Sequence, residues 1–438
     1  MPRRGRRSAS ACSSCSRSLA SPIPGSSRLA DGSRTCSTRR DPVTEPRAYL
    51  DHAATSPMSA EVAAAYLEAL QVVGNPASTH GHGQRASETL EEARAEIAAA
   101  LGCDHAELIL TAGGTESVNL GIKGLYWARR RAGAGPVILV AEGEHHATVE
   151  AAEWLRDTQG ARLVWLPIDG AGRLTPDTLR SAIAAAGPDQ VALLSFLWVN
   201  NEVGTIQPVA ELCGIAADAG IPSHVDAVAA LGQVPVDFAR SGAAVLSVSA
   251  HKIGGPVGVG ALVLGRRTTV DPILHGGTQQ RGRSGTQDVA GAVAFAAAMR
   301  RAVGSDRHPT TAHTAAVTTL RDTLIAGIRS IDPEAVLRGP APGPERAPGN
   351  AHFTFPGCQG DSLVFLLDAA GVSVSVGSAC QAGVAETSHV LRAMGLPEDD
   401  AAGALRFTLS ADTRAEEIER LLAALPDAIA RARSAGLA

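Results

Sequence analysis

The chain has 438 residues, 45% of them hydrophobic, so it is long enough to bury the cores of two domains. A formal net charge of −5 leaves no basic excess for nucleic acid or an anionic membrane surface, and no apolar stretch approaches the roughly 20 residues of a bilayer span. Seven cysteines are too few, and odd in number, for a secreted disulfide framework, which indicates free thiols in a reducing compartment.

Residues 1–47 are rich in arginine and serine and show no helical or strand periodicity. We expect a disordered or non-native extension, produced by a start site set too far upstream, or else an organelle transit peptide. Cys12 and Cys15 have no second pair at zinc spacing, so no metal site is expected. The predicted location is cytoplasmic, with an organelle as the alternative if the segment is a transit peptide.

From Tyr49 onward, short apolar runs alternate with helical stretches rich in Ala, Glu and Arg. That order is typical of an α/β fold with a largely parallel sheet. Helical periodicity at Glu88–Leu101 and Glu116–Arg131 predicts helices that cover the sheet. The predicted strands are Leu108–Leu110, Val137–Ala141, Leu163–Leu166, Val191–Phe196 and Val245–Ser249.

Past residue 290 the alternation of predicted strands and helices changes. Two helices, Val289–Val303 and Thr311–Ile331, lead into a Pro/Gly-rich loop at Gly339–Gly349. A smaller α/β unit follows, with strands at His352–Phe355, Val372–Val376 and Leu405–Leu409 and a helix from Arg414. The predicted division is an extension at 1–47, a segment joining the small domain at 48–62, a large domain at 63–304 and a small domain at 305–438.

Lys252 stands where an apolar strand meets the turn Gly254–Gly255, at the sheet edge where α/β proteins bind ligands. A partly desolvated lysine there can lose its proton near neutral pH and form a Schiff base with an aldehyde. An isolated strand-end lysine is more often a solvated surface residue, but the neighbouring motifs reverse that balance. The only other lysine, Lys123, lies in a predicted helix among polar neighbours, where a solvated side chain is expected.

Three further positions suit a bound phosphorylated ring. Thr111–Glu116 joins a strand to a helix through Gly113–Gly114, a turn that can hold phosphate, although many such turns bind nothing. Asp226 ends a strand, where it either pairs with a protonated ring nitrogen or caps a helix. His145 follows a strand and a turn, and is either a ring-stacking or acid–base group or a surface histidine.

Two residues of the C-terminal part suit a small substrate. Arg406 lies in a strand, where it either clamps a substrate carboxylate or faces outward. Cys380 follows Val376–Ala379, an apolar run passing into small residues that leave a thiol accessible.

These motifs, in this order, resemble those of the cysteine desulfurases, pyridoxal-5′-phosphate (PLP) enzymes of the class V aminotransferase type and PLP fold type I. The likeness runs from Tyr49 nearly to the end of the chain and implies a large domain with a mainly parallel, seven-stranded sheet and a smaller α/β C-terminal domain. It is carried by Tyr49–Thr55, Gly74–Ser78, Gly114–Ser117, Glu144–His145, Val199–Gly204, His224–Ala227, His251–Lys252, Arg283–Thr286 and Gly377–Cys380. The spacing after Cys380, through Val390–Ala393, is similar to the long-loop branch of the family.

The resemblance implies a role for each of these residues. Lys252 would form the Schiff base with PLP, Asp226 would pair with the pyridine nitrogen, and His145 would stack on the ring and act in catalysis. The phosphate would be held by Gly114, Thr115, Ser249, His251 and, from the second subunit of a homodimer, Thr286. Asn201 would contact the ring-side oxygen and, with Arg406, the substrate.

The implied reaction converts L-cysteine to L-alanine and leaves the sulfur on Cys380 as a persulfide. A sulfur-acceptor protein, an iron–sulfur scaffold or a thiolation carrier, would then receive it. This chain departs from the family pattern in two places. The family has a glutamine where this chain has Ala229, and the stretch Gly277–Arg283 is one residue shorter than usual, which affects cofactor binding and the contact of Thr286.

Three alternatives remain open from the sequence. A selenocysteine lyase would use the same lysine and cysteine. An aminotransferase or another PLP lyase would need no thiol at Cys380. A catalytically weak or silent homologue acting as a binding partner would account for Ala229 and the shortened loop.

Overall fold

The computed structural model describes residues 47–303, 311–377 and 387–436. The expectations for residues 1–46 and the position of Cys380 therefore lie outside the described residues. By their contacts, the described residues belong to one compact unit.

Helices and strands alternate through most of the chain. The strands are β1 (Ala48–Tyr49), β2 (Leu108–Thr111), β3 (Val137–Ala141), β4 (Arg162–Leu166), β5 (Val191–Leu197), β6 (Ser223–Asp226), β7 (Val245–Ser249), β8 (Gly260–Leu264), β9 (Val336–Arg338), β10 (Asn350–Thr354), β11 (Val372–Ser373) and β12 (Ala404–Thr408). The helices are α1 (Ala60–Ala69), α2 (Gly81–Leu101), α3 (Gly114–Asn119), α4 (Leu125–Arg131), α5 (His146–Gln159), α6 (Pro176–Ala186), α7 (Val209–Asp218), α8 (Phe238–Ser241), α9 (Val289–Val303), α10 (Thr311–Ile331), α11 (Gly360–Ala369), α12 (His389–Ala393), α13 (Glu398–Ala402) and α14 (Ala415–Gly436).

Seven strands form the main sheet in the order β2-β8-β7-β6-β5-β3-β4. The pairs from β7 to β4 are parallel, and β8 runs antiparallel to both of its neighbours. Alternate residues of β3 enter two different hydrophobic clusters, Val137 and Leu139 one of them and Ile138 and Val140 the other. The sheet therefore carries a core on each face, and the predicted α/β class with a mainly parallel seven-stranded sheet is confirmed.

The predicted helix Glu116–Arg131 is helical throughout, but its middle is not a regular α-helix. α3 ends at Asn119, a π-helical turn spans Leu120–Gly124, and α4 continues from there. A Cβ atom on Gly121 would lie 2.6 Å from Cδ2 of His224 in β6. Gly121 in the π-helical turn therefore packs against this buried imidazole, a tertiary contact that the local sequence pattern does not contain.

Most other predicted elements differ by a residue or two at their ends, as helix and strand boundaries commonly do. The predicted strand Val372–Val376 is a regular strand only over Val372–Ser373. Beyond it, Ser375 makes a single isolated bridge to Arg406. The predicted bounds that are confirmed without change are Val137–Ala141, Val245–Ser249, Val289–Val303 and Thr311–Ile331.

The C-terminal part builds its own antiparallel sheet in the order β12-β10-β9, which packs with α10, α11 and α14. β1 pairs in parallel with β11, so the start of the described chain joins this part. Ala48 and Leu50 share its hydrophobic cluster with Phe353 and Phe407. This cluster is separate from the two that flank the main sheet. The exact domain boundaries stay a prediction.

Candidate active site

A cavity of about 250 Å³ opens where the chain leaves β5, β6 and β7. Parallel strands bring their carboxyl ends to one edge of a sheet, so residues distant in sequence converge there. Ala229 lines the cavity, at the position where a glutamine was expected from the family pattern. The cavity also unites seven residues singled out from the sequence: Gly114, Thr115, His145, Asn201, Asp226, His251 and Lys252.

Lys252 follows β7 in a short helical turn, Ala250–Ile253. Its Nζ donates hydrogen bonds to the carbonyl oxygens of Ala53 and, at 3.0 Å, of Ala54. Burial, together with the positive charge of Arg406, lowers the pKa of Lys252 from 10.5 to about 8. A sizeable fraction of the amine is therefore neutral near physiological pH and able to condense with an aldehyde.

Asp226 ends β6 at the floor of the cavity and is buried. Its Oδ1 accepts a hydrogen bond from the N–H of Val228 at 2.9 Å. Burial raises the pKa of Asp226 to about 6, while the Val228 N–H and the positive charge of Lys252 act in the opposite direction. A carboxylate in this setting favours a cationic partner, such as a protonated ring nitrogen.

The turn before α3 depends on its glycines. Gly113 has φ +131°, a conformation that favours glycine, and a Cβ atom on Gly114 would lie 2.9 Å from Cγ2 of Val228. The first N–H groups of a helix have no partner within the helix, so they are available to an anion. Thr115, the next residue, lines the cavity.

The residues present fit PLP. Oδ1 of Asn201 and Oγ of Ser249 are buried, and neither has a hydrogen-bond partner in the part of the chain that the structure describes. Ser249 lies against Gly114, since a Cβ on that glycine would come 3.4 Å from Cβ of Ser249. Buried polar atoms are nearly always hydrogen-bonded, so these two indicate a bound group. The amine of Lys252 suits the aldehyde of PLP, and the buried carboxylate of Asp226 suits its ring nitrogen. The free N–H groups before α3 suit its phosphate.

His145 precedes α5 with its side chain exposed at the cavity. Its Nδ1 accepts a hydrogen bond from the N–H of Ala147 at 3.1 Å, which places the proton of the neutral ring on Nε2. Although solvent reaches the ring, crowding by protein atoms and the nearby charge of Lys252 lower the pKa of His145 to about 4. The imidazole is therefore neutral at physiological pH, as a ring-stacking group or proton carrier requires.

Half-buried His251 lies on the same rim, with Nδ1 3.3 Å from Oγ1 of Thr55. Burial, followed by the charge of Lys252, lowers the pKa of His251 to about 4. It is thus a neutral hydrogen-bonding group at physiological pH.

Arg406 reaches the site from β12 in the C-terminal sheet. Its Nη1 donates to the carbonyl oxygen of Asn201 at 2.9 Å, and its Nη2 donates to Oδ1 of Asp51 at 2.8 Å. Its Nε is buried and has no partner among the residues described. Asp51 belongs to the motif Tyr49–Thr55, but sequence reasoning gave it no role because nothing local links it to an arginine so far along the chain.

Four predicted site residues are not among those that line this cavity. Ser249 lies against Gly114 and Arg406 donates to the carbonyl of Asn201, so both contact lining residues. Thr286 is exposed, and Cys380 lies outside the described residues. The loop before Thr286 is fastened to β2, because the Gln280 side chain accepts from the N–H of Leu110 at 2.7 Å and donates to its carbonyl at 3.0 Å.

Within residues 47–303, 311–377 and 387–436, no group of His, Cys, Asp and Glu side chains is arranged to hold a metal ion. Among the helices described there, none combines the length and the apolar character needed to cross a bilayer.

The sequence profile of the family described as aminotransferase class-V matches residues 48–421. The chain is 47% identical over 393 residues to the IscS-like cysteine desulfurase of Mycobacterium tuberculosis, covering 89% of this chain and 98% of that protein. It is 36% identical to the cysteine desulfurase NifS of Azotobacter vinelandii, covering 88% and 93%. A solved structure described as a NifS-like protein is similar with a TM-score of 0.79 and 31% identity, covering 88% of this chain and all of that one.

Proposed function

This chain belongs to the class-V aminotransferase family and is a PLP-dependent cysteine desulfurase, and on that premise we propose which of its residues perform the reaction. The observation that carries the proposal is the convergence of Lys252, Asp226 and His145 on one cavity that contains a buried, unpartnered Asn201 oxygen. When bound, PLP supplies an electron sink that weakens the carbon–sulfur bond of cysteine.

Lys252 would hold the cofactor through its amine, and Asp226 would pair with the ring nitrogen. The depressed pKa of Lys252 supports the first role, and the burial of Asp226 at the end of β6 supports the second. His145 would stack on the ring and move a proton through Nε2, because Nδ1 is engaged by Ala147. The phosphate would be held by Gly114, Thr115, Ser249 and His251.

Arg406 would bind the substrate carboxylate, with the Asn201 side chain contacting cofactor and substrate. Two donors of the guanidinium are already fixed, by Asp51 and by the carbonyl of Asn201, so the cation is held at the site before cysteine arrives. The unpartnered Nε leaves a donor that a carboxylate can use. This arrangement selects an amino acid with a free carboxylate.

Cys380 would accept the sulfur. Its thiolate attacks the sulfur of the bound cysteine, the carbon–sulfur bond breaks with its electrons moving toward carbon, and a proton completes the methyl group of alanine. The enzyme is left with a persulfide on Cys380, which passes to a sulfur-acceptor protein, an iron–sulfur scaffold or a thiolation carrier. The free thiols Cys103, Cys213 and Cys358 support a reducing compartment, which we assign to the cytoplasm.

The proposed working form is a homodimer. Thr286 is exposed and outside the cavity of its own subunit, which suits a residue that serves the cavity of a partner subunit. At the end of α1, Leu67, Leu70 and Val73 are exposed apolar side chains of the kind that subunit interfaces cover. Sedimentation analysis at several concentrations tests this state, and a monomer at all of them would contradict it.

The test of the sulfur-accepting role compares two cysteine variants. Purified protein is given L-cysteine and a reductant, and alanine and sulfide are measured. Cys380→Ala should lose sulfide release while keeping its visible cofactor absorbance. Cys103→Ala is the matched control, because burial raises the pKa of that thiol to about 12 and keeps it protonated. Undiminished sulfide release by Cys380→Ala would overturn the assignment.

A further inference from the structure

The turn after β5, Asn200–Gly204, is held by side chains of the C-terminal part of the chain. Three consecutive carbonyl oxygens each accept a hydrogen bond, that of Asn201 from Arg406 at 2.9 Å, that of Glu202 from Asn350 at 2.8 Å and that of Val203 from Arg346 at 3.1 Å. The N–H of Glu202 donates to Oδ1 of Asn200 at 2.9 Å. The backbone of Glu202 is therefore fixed at both its N–H and its carbonyl.

The side chain of Glu202 points into the protein, and the residue is only 1% exposed. Its Oε2 accepts a hydrogen bond from Oγ of Ser388. Ser388 is also the cap of α12, where the same Oγ accepts from the N–H of Leu391 at 3.2 Å. Burying a carboxyl group costs stability unless it has strong partners, so packing alone gives no reason for a glutamate here.

The same carboxylate lies against Gly377. A Cβ atom built on that glycine would come 3.3 Å from Oε2 of Glu202 and 3.4 Å from Nε2 of His352. Gly377 has φ +93°, which favours glycine, and its N–H donates to Oγ of Ser375 at 3.0 Å. Gly377 thus lies beside Glu202, where a side chain would fit only tightly.

Gly377 and Ser388 flank the segment 378–386, which contains Cys380. We propose that Glu202 is a positioning residue for sulfur transfer, because its carboxylate bonds Ser388 at one flank of the segment that carries Cys380 and lies beside Gly377 at the other. Fixing the two ends of a short segment close together limits the conformations open to any residue within it, which favours a reactive geometry. The inference rests on the proposed role of Cys380 as the sulfur acceptor.

The test compares Glu202→Ala with Glu202→Gln in the PLP-loaded enzyme. Glutamine retains an oxygen that accepts from the Ser388 hydroxyl, whereas alanine removes it. We expect Glu202→Ala to lower kcat for alanine formation by roughly tenfold to a hundredfold, the scale of a misplaced reacting group. The KM for cysteine and the PLP content should stay near wild-type values, and Glu202→Gln should recover most of the rate.

A second variant covers the case in which Glu202→Ala does not fold. Ser388→Ala removes the hydroxyl that binds Glu202 together with a helix cap. Its matched control is Thr175→Ala, which removes the cap of α6, a hydroxyl that bonds only Thr178 among the described residues, and should leave kcat unchanged. Alkylation of Cys380 by iodoacetamide, followed by peptide mass spectrometry, should remain at least as fast as in the wild type, because the thiol itself is intact.

The inference is overturned if Cys380→Ala is inactive yet Glu202→Ala and Ser388→Ala keep the wild-type kcat. It is equally overturned if either variant loses PLP and cysteine binding in step with its rate, since that result indicates only a structural role. The proposed function fails on a different result, sulfide release by Cys380→Ala, and that outcome removes the basis for the inference as well.

Discussion

Arg406 and Asp51 lie 355 positions apart in the chain, and an ion pair of 2.8 Å joins Nη2 of the first to Oδ1 of the second. The two side chains are 6% and 19% exposed, so water screens the pair only in part. With the carbonyl of Asn201 on its other terminal nitrogen, the guanidinium is oriented before substrate binds. Preorganisation of this kind lowers the entropy cost of binding a carboxylate.

Arg406→Lys should raise the KM for cysteine roughly tenfold to a hundredfold, which corresponds to about 1.4 to 2.7 kcal/mol. An ammonium group is a single point charge, so it does not reproduce the fixed planar set of donors that Asp51 and Asn201 hold in place. Steady-state kinetics measures the change, and kcat should fall less than KM rises. The exposed Arg180→Lys is the control, and a KM for Arg406→Lys equal to that of the control would contradict the role.

Lys252→Ala should abolish the visible absorbance of the PLP-loaded protein, because the amine that binds the cofactor is gone. The chain offers a matched control in Lys123, its only other lysine, whose Nζ lies 4.5 Å from the ring centre of Trp154. Lys123→Ala should keep the absorbance and lose about 0.5 to 1 kcal/mol of stability. An absorption spectrum of Lys252→Ala that matches the wild type would refute the assignment.

The local sequence was sufficient to predict the structure where the residues of a single helix or strand determine it. The apolar run Val137–Ala141 forms a buried strand because its residues are apolar on both faces, as a parallel strand between two helical layers requires. The position of Lys252 at the end of β7 was predictable in the same way, whereas its choice as a candidate depended on the neighbouring motifs. The convergence of Asp226 and His145 on the same edge follows from parallel strand order.

Tertiary contacts between distant residues were not predictable from one sequence. Nothing near Asp51 indicates its pairing with Arg406, and nothing near Gly121 indicates its close contact with His224. Glu202 belongs to a motif noted from the resemblance, but its bond to Ser388 joins residues 186 positions apart. Each of these contacts depends on how distant elements pack together, and no local periodicity contains that information.

The rate at which cofactor-free protein takes up PLP should depend on pH through Lys252. Only the neutral amine condenses with an aldehyde, and burial with the charge of Arg406 lowers the pKa of this amine to about 8. Below that pH the rate should rise about tenfold per pH unit, and above it the rate should level off. Stopped-flow absorbance at constant ionic strength measures this profile. A rate that still climbs tenfold between about pH 9 and 10 would indicate an ordinary, unshifted lysine.

Ala229 lines the cofactor cavity where related enzymes are expected to place a glutamine, so this chain lacks one amide contact to the ring. Ala229→Gln should therefore tighten PLP binding by about 1 kcal/mol, roughly a fivefold lower Kd, the scale of one net hydrogen bond. Equilibrium dialysis of PLP against the cofactor-free protein measures the change. Ala229→Leu is the control, because leucine adds similar bulk without a hydrogen-bonding group and should not tighten binding. If both variants bind PLP equally more tightly, the gain comes from the added side-chain volume and not from an amide hydrogen bond.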